Sequence, residues 1–496
     1  MTESKRLKLN TFLPLIDKTV GMIYTLIIPR MFILCYGSDV NGLINSIGNF
    51  LSVLALMDMG IGAVVQSSLY KPLTENDNDA LNRVLKSGRR FFDKITAVFF
   101  AYSIVLCFAY PIVIKKDFSF TYEALLVLIL AVSSFTNSYL GITNNLLIAA
   151  DSKMFINSAS HCLCTVFCMV LSYFLIGNKT SVHIVETVVA GCYLIRPLII
   201  GLFVHHNYKI NYKVELNEEP IKQKWNGIAQ HLAYYVTTNT DVVVLTFFSS
   251  LSTVSVYSVY NMVATGVSGL LIVAQSAFPP VLGKLIAKNK QEELKSFFER
   301  YEFLAHFITT IVYACTVVLV VPFVSVYLKN ANDANYIQPL FSFILISAMF
   351  VYTLRFPYHS AFISAGHFKQ TQMSSVIEML LNIIITFICV SKLGLVGVAI
   401  GTFVSLAYRT VYLILYMPNI INEVNCFNSI KLLVTDIIIY ISAYLIGTCF
   451  SLNQKTYFSW FLLGIKIFAV VVCISILVNM VVNSKALKRW FSRKEQ

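Results

Sequence analysis

The sequence is short of charge. Only 13% of its 496 residues are Asp, Glu, Lys or Arg, about half the roughly 25% usual for a soluble chain. Against this, 57% are hydrophobic and the mean hydropathy is +0.71. No single aqueous core hides that much apolar surface, so lipid must solvate much of it and the chain reads as an integral membrane protein. Other absences exclude functions. No GxxxxGK[ST] phosphate loop is present, so an ATP-driven pump has no support. The eleven cysteines lack metal-ligand spacing, and Cys162, Cys164, Cys168, Cys192, Cys315, Cys389 and Cys473 sit inside apolar runs as small hydrophobes. Neither a metal nor another cofactor is expected. The N-terminus, MTESKRLKLN, shows no A-x-A-like cleavage site, so the first helix is expected to insert and stay. The net charge of +13 invites a nucleic-acid reading, but the Lys and Arg lie in short connectors instead of on one soluble module.

Apolar runs are what the sequence has in quantity. A bilayer core of about 30 Å takes roughly 20 helical residues at 1.5 Å each. On that measure fourteen spans are predicted: Thr11–Cys35, Asn41–Tyr70, Phe91–Ile114, Thr121–Ala150, Met154–Gly177, Ser181–Val204, Trp225–Phe248, Val254–Ile286, Tyr301–Leu328, Tyr336–Gly366, Thr371–Val390, Leu395–Met417, Ser429–Phe450 and Phe458–Val482. The N-tail, C-tail and the connectors after even-numbered spans, with Lys284 at the end of the eighth span, carry 24 Lys and Arg, the other connectors six. The positive-inside rule then puts both termini in the cytoplasm.

The polar stretch His205–Lys224 divides the chain, and features recur across it. The second span of each half runs into a charged amphipathic connector, KPLTENDNDALNRVLKSGRR and KNKQEELKSFFER. The fourth ends in LLIAADSKMFINSAS from Leu146 and AFISAGHFKQTQMSS from Ala361, about 215 residues apart. The reading is an all-α polytopic protein of about 14 helices: a six-helix lobe (1–206), a cytoplasmic connector (207–224), a second six-helix lobe (225–418), then two further helices and a basic tail (419–496). Two parallel lobes related about the membrane normal are a transporter's architecture, with the substrate path between them.

IIPRMF with Pro29-Arg30, YGSDVNGLINSIGNFL, LMDMGIG around Asp58, SSLYKPL and LLIAADSKMFINS together resemble the Wzx-type oligosaccharide flippases, polysaccharide-biosynthesis members of the multidrug/oligosaccharidyl-lipid/polysaccharide exporter superfamily. The resemblance implies a MATE-like fold in the bacterial cytoplasmic (inner) membrane. It further implies translocation of polyprenyl-pyrophosphate-linked repeat units of lipopolysaccharide O-antigen, capsule or exopolysaccharide, with glycan polymerase and export machinery as possible partners.

An ionised side chain at mid-bilayer costs at least about 2.5–3.5 kcal/mol on insertion scales, so each must face a cavity, find a partner or reach the interface. Asp58 and Arg355 lie near the middle of long spans, and Arg196 and Arg409 fall at matching places in the sixth and twelfth. A guanidinium stays charged in low dielectric and offers a planar fork of donors to phosphate, which suits a pyrophosphate head. Arg196, Arg355 and Arg409, with Arg30 through the resemblance, are therefore the substrate-contact candidates. The competing reading is interhelical ion pairs that only fix packing. Asp58, Asp241 and Glu378 are candidates either for such pairing or for binding a coupling ion, H+ or Na+. Pro197 and Pro357 place bends beside Arg196 and Arg355.

The predicted function is thus a non-enzymatic flippase working by alternating access and coupled to an ion gradient. A MATE-type multidrug or small-solute antiporter shares the fold, but cationic cargo calls for acidic and aromatic lining. A membrane polymerase or acyltransferase needs a large loop or a catalytic cluster, whereas His183, His231 and His359 are scattered on separate spans.

Overall fold

The structure, a computed structural model, describes residues 3–53, 61–114, 118–215, 228–422 and 424–484. Nineteen α-helices are found among them. They are α1 (Glu3–Tyr36), α2 (Ser38–Leu51), α3 (Ile61–Glu75), α4 (Asn78–Ile114), α5 (Phe120–Ser138), α6 (Ile142–Ala150), α7 (Met154–Gly177), α8 (Val182–Tyr193), α9 (Ile195–Asn207) and α10 (Ile228–Phe248). The rest are α11 (Leu251–Gln275), α12 (Pro279–Ala287), α13 (Gln291–Tyr327), α14 (Pro339–Leu354), α15 (Phe356–Ser364), α16 (Phe368–Leu393), α17 (Leu395–Tyr416), α18 (Cys426–Gly447) and α19 (Tyr457–Val482). Twelve helices or broken helices among the described residues are long and apolar enough to cross a membrane, so the chain is a multi-pass membrane protein. The second predicted span appears as α2 and α3, and Asp58 between them lies outside the described residues. The seventh is described from Ile228 as α10.

Helix boundaries depart from the apolar runs for local reasons. The connector ahead of Phe91 is not a loop but the first turns of α4, because Asp77 Oδ1 accepts from the backbone N–H of Asp79 at 3.0 Å and of Ala80 at 2.9 Å. Leu81, Val84, Leu85, Gly88 and Phe92 then repeat at helical spacing and are buried. α13 likewise starts ten residues before its predicted span and buries Leu294 and Phe298. Each of these 37-residue helices is roughly 55 Å long, well beyond the hydrocarbon core.

Among the described residues, breaks fall in four predicted spans. Gly141 (φ 78°) separates α5 from α6, Pro279 and Pro280 open α12, and the breaks before α9 and α15 come with Pro197 and Pro357. A proline has no N–H for the carbonyl four residues earlier, here those of Tyr193 and Thr353. The recurring phrases after the fourth span of each half both make a tight left-handed turn, at Ser152 (φ 54°) and Gly366 (φ 72°). Next to the first turn, Lys153 Nζ contacts Asp151 at 2.6 Å and Tyr208 OH at 3.0 Å, while Tyr208 donates to Asp151. Burial and then the Asp151 carboxylate push the Tyr208 phenol up.

The helices form two compact units, Met1–Tyr235 with Ser250–Ser255, and Val236–Ser249 with Val256–Gln496. The first buries Leu43, Ile47, Leu51, Leu85, Phe99 and Leu147 in its core, the second Leu282, Phe298, Tyr358, Phe362 and Leu413. Outward faces carry Leu202, Phe458 and Val481, 72%, 71% and 83% exposed, as lipid contact requires.

In the second unit α16 and α17 turn back on each other at Gly394 and touch along their length. A Cβ at Gly397 would fall 2.5 Å from the Cys389 carbonyl, and one at Gly401 2.1 Å from Thr386 Oγ1 and 2.9 Å from the Thr386 nitrogen. Two glycines one turn apart thus let the backbones meet. Gly401→Ala is expected to cost about 1–3 kcal/mol by overpacking, read as a lowered thermal midpoint in detergent. Gly191→Ala, with open space around it, should leave that midpoint unchanged.

Candidate functional site

The α16–α17 approach sets Glu378 among arginines. Arg355, at the α14–α15 break, donates from Nη1 to Glu378 Oε1 at 2.6 Å and lies 4.7 Å from the centroid of the Tyr352 ring. Arg409 on α17 has Nε 4.0 Å from Glu378 Oε2, donates to the Thr371 carbonyl at 2.9 Å and bonds Ser374 Oγ. Phe362 and Tyr412 flank its guanidinium at 6.0 and 5.9 Å. Arg355, Glu378 and Arg409 are 7%, 8% and 3% exposed. Two of the predicted arginines and one predicted carboxylate are thus gathered in one cluster, which holds two guanidiniums against one carboxylate.

One helical turn along α16 from Glu378 is Asn382, part of a second cluster. Asp241 on α10 accepts from Tyr257 OH at 2.8 Å and from Thr402 Oγ1 at 2.8 and 2.9 Å, and Asn382 Nδ2 donates to Thr402 Oγ1 at 3.3 Å. Asn382 Oδ1 and Thr386 Oγ1 are buried with no hydrogen-bond partner among the described residues. Buried oxygens without donors are costly. Asn382 and Thr386 are one turn apart on α16, and Thr386 Oγ1 lies against α17 at Gly401. No group of three or more His, Cys, Asp or Glu side chains that could hold a metal ion occurs among the described residues.

The other predicted arginines lie in the first unit. Arg196, half-buried at the start of α9, donates to Asn157 Oδ1 at 3.0 Å and to the Asn137 carbonyl at 2.9 Å, both neutral acceptors. Asp17 is taken by His161 at 2.7 Å. Arg30 is half-buried on α1, which runs without interruption through Pro14 and Pro29.

Sequence reasoning missed Glu123, Glu186, Glu302 and His306, all buried. The three glutamates fall within five residues of the start of a predicted span, where a charge reads as solvated. It also missed Asn382, Thr386 and Thr402. The small residues Gly397 and Gly401, four apart, were the signal that would have brought α16 against α17.

Removing one member of a buried ion pair costs about 3–5 kcal/mol, while replacing both by apolar residues of like volume is often neutral. Glu378→Ala is therefore expected to lower the thermal midpoint strongly, and Arg355→Met with Glu378→Met to recover only part of the loss, because Arg409 still lacks its carboxylate. Equal loss in the two variants would contradict the pairing.

The sequence matches no family model and no curated protein. Its fold is similar to that of a structure described as lipid II flippase MurJ in an inward closed conformation, with a TM-score of 0.73 at 15% identity, covering 97% of this chain and 100% of that one. An inward-facing multidrug resistance MATE family transporter of the MOP superfamily gives 0.55 at 13% identity, covering 85% and 99%. A mutant of the Vibrio cholerae MATE transporter VcmN gives 0.56 at 11%, covering 85% and 98%. At such identities the likeness is one of fold. The chain is an all-helical, multi-pass membrane protein with the fold shared by MurJ and the MATE transporters.

Proposed function

We propose that the chain is a flippase that carries polyprenyl-pyrophosphate-linked oligosaccharide repeat units across the bacterial cytoplasmic membrane by alternating access, driven by a cation gradient. The observation that carries this reading is the excess of guanidinium over carboxylate at Arg355, Arg409 and Glu378. A buried excess of positive charge is held at a cost, and a pyrophosphate would compensate it through bidentate, charge-assisted hydrogen bonds. In the first unit Arg196, which donates to Asn157 Oδ1 and the Asn137 carbonyl, and Arg30 are candidates of their own for the same anionic cargo. The fold is that of a chain described as a lipid II flippase over nearly the full length of both. A multidrug antiporter is the alternative on the same fold, and the arginine excess opposes cationic cargo.

The cation would bind at Asp241, with Asn382 Oδ1, Thr386 Oγ1 and Thr402 Oγ1 as neutral oxygens. Asn382 and Glu378 share one face of α16, about 6 Å apart along the axis. A cation there offers Glu378 a second counter-charge and so weakens its competition with phosphate for the two guanidiniums. Cation and anionic cargo would then favour one another's binding, as coupled transport requires.

In proteoliposomes loaded with polyprenyl-pyrophosphate oligosaccharide, Arg196→Ala, Arg355→Ala and Arg409→Ala should each slow translocation while the protein still inserts. The loss of a charge-assisted hydrogen bond of about 1.5–3 kcal/mol corresponds to roughly 10- to 100-fold, and Lys at these positions should restore only part. Full rates in all three Ala variants would rule the arginine site out. Na+ at about 100 times its dissociation constant should stabilise the native protein by about 2.7 kcal/mol. That rise in thermal midpoint should vanish in Asp241→Asn.

A further inference from the structure

Away from the arginine cluster, four titratable side chains from three helices form an unbroken hydrogen-bonded row. Tyr358 on α15 donates its hydroxyl proton to Glu302 Oε1 on α13 at 2.6 Å, and the same hydroxyl lies 3.0 Å from His306 Nε2. The other ring nitrogen, Nδ1, is 2.6 Å from Asp436 Oδ2 on α18. Asp436 Oδ1 in turn accepts from Thr310 Oγ1 at 2.7 Å. All five side chains belong to buried residues, with Tyr358 0%, His306 1%, and Glu302 and Asp436 each 4% exposed.

Counting donors fixes the protons. A phenol has one proton, which Tyr358 spends on Glu302, so the His306 Nε2 contact needs a proton from the ring. The Nδ1 contact needs one as well, from the ring or from Asp436. Three contacts therefore hold three protons. With both ring nitrogens protonated and both carboxylates ionised, the row carries one net negative charge. When the Tyr358 proton passes to Glu302 and the Nε2 proton passes to Tyr358, the ring becomes neutral and the count and net charge stay the same. The row thus has two or more proton arrangements of equal charge and can take up a fourth proton at an outer carboxylate oxygen, which makes it neutral.

We propose that Glu302, Tyr358, His306 and Asp436 form a proton-binding and proton-relaying site, separate from the cation pocket at Asp241 and built only when α18 packs against α13 and α15. Around the row, α17 carries Tyr408, Arg409, Tyr412 and Tyr416, and α18 carries Lys431, which donates to the Val482 carbonyl, Tyr440, which bonds Ser347, and Tyr444. α13 adds Glu299 beside Glu302, and α18 adds Cys426. α14 holds only Tyr352, α12 only Lys284, and α15 also His359, which faces Arg355 and Arg409 instead. α19 contributes Tyr457, Lys466 and Cys473, all exposed. The buried cations nearby, Arg355 and Arg409, are engaged by Glu378 and the Thr371 carbonyl, so protons are the charge left to balance the two carboxylates. This site stands whether or not the transported molecule is a lipid-linked glycan.

The test is infrared difference spectroscopy of the full-length protein in lipid vesicles across a pH step, with the histidine state read by nuclear magnetic resonance of 15N-histidine-labelled protein. The wild type should show a carboxylic acid band that rises on acidification and a His306 ring with both nitrogens protonated, assigned by its loss in His306→Asn. The band should disappear in Glu302→Gln and in Asp436→Asn and persist in Asp241→Asn and Glu378→Gln. Tyr358→Phe removes only the linking hydroxyl, so the shared titration should split into separate Glu302 and His306–Asp436 steps. No acid band that follows pH, or an unchanged band in Tyr358→Phe together with either carboxamide variant, would overturn the proposal.

Discussion

A charge inside a membrane protein must be balanced within the protein, and the second unit obeys that constraint at Glu378. Its two carboxylate oxygens face two guanidiniums from different helices, so α14, α15, α16 and α17 are tied through one side chain. The tie exists because Gly397 and Gly401 let α17 come close enough for Arg409 to reach the Thr371 carbonyl and Glu378 together.

The polar interior is stacked by helical periodicity. Glu378, Asn382 and Thr386 are four apart and share one face of α16, while Thr402 and Arg409 are seven apart on α17. One helix hairpin therefore carries an ion-pair layer and, one turn away, Asn382 and Thr402 beside Asp241.

Hydropathy made the membrane spans legible, because lipid imposes length and composition on any helix that crosses it. The prolines beside Arg196 and Arg355 likewise signalled the breaks that the helices show, since a missing N–H is a local property. The partners of the charges were not legible. That Arg355 meets Glu378, or that His306 meets Asp436 130 residues away, depends on how helices pack, and a lone sequence carries no record of it. Helix starts were also missed where capping outweighs polarity: Asp77 begins α4 in a stretch whose charges read as a solvated connector. That error hid Glu302 as well, twelfth residue of α13 but second of its predicted span.

The last two helices, which the repeat leaves over, take on a different character through Asp436. α18 supplies the counter-ion of a histidine buried in the preceding helices, and α19 packs beside α13 with Trp460 donating to the Leu319 carbonyl. A lobe ending after α17 would leave an imidazole and a glutamate facing hydrocarbon. Removing this helix pair would therefore strand two buried groups of the lobe itself, so Glu302 and His306 tie the appendage to the helices before it.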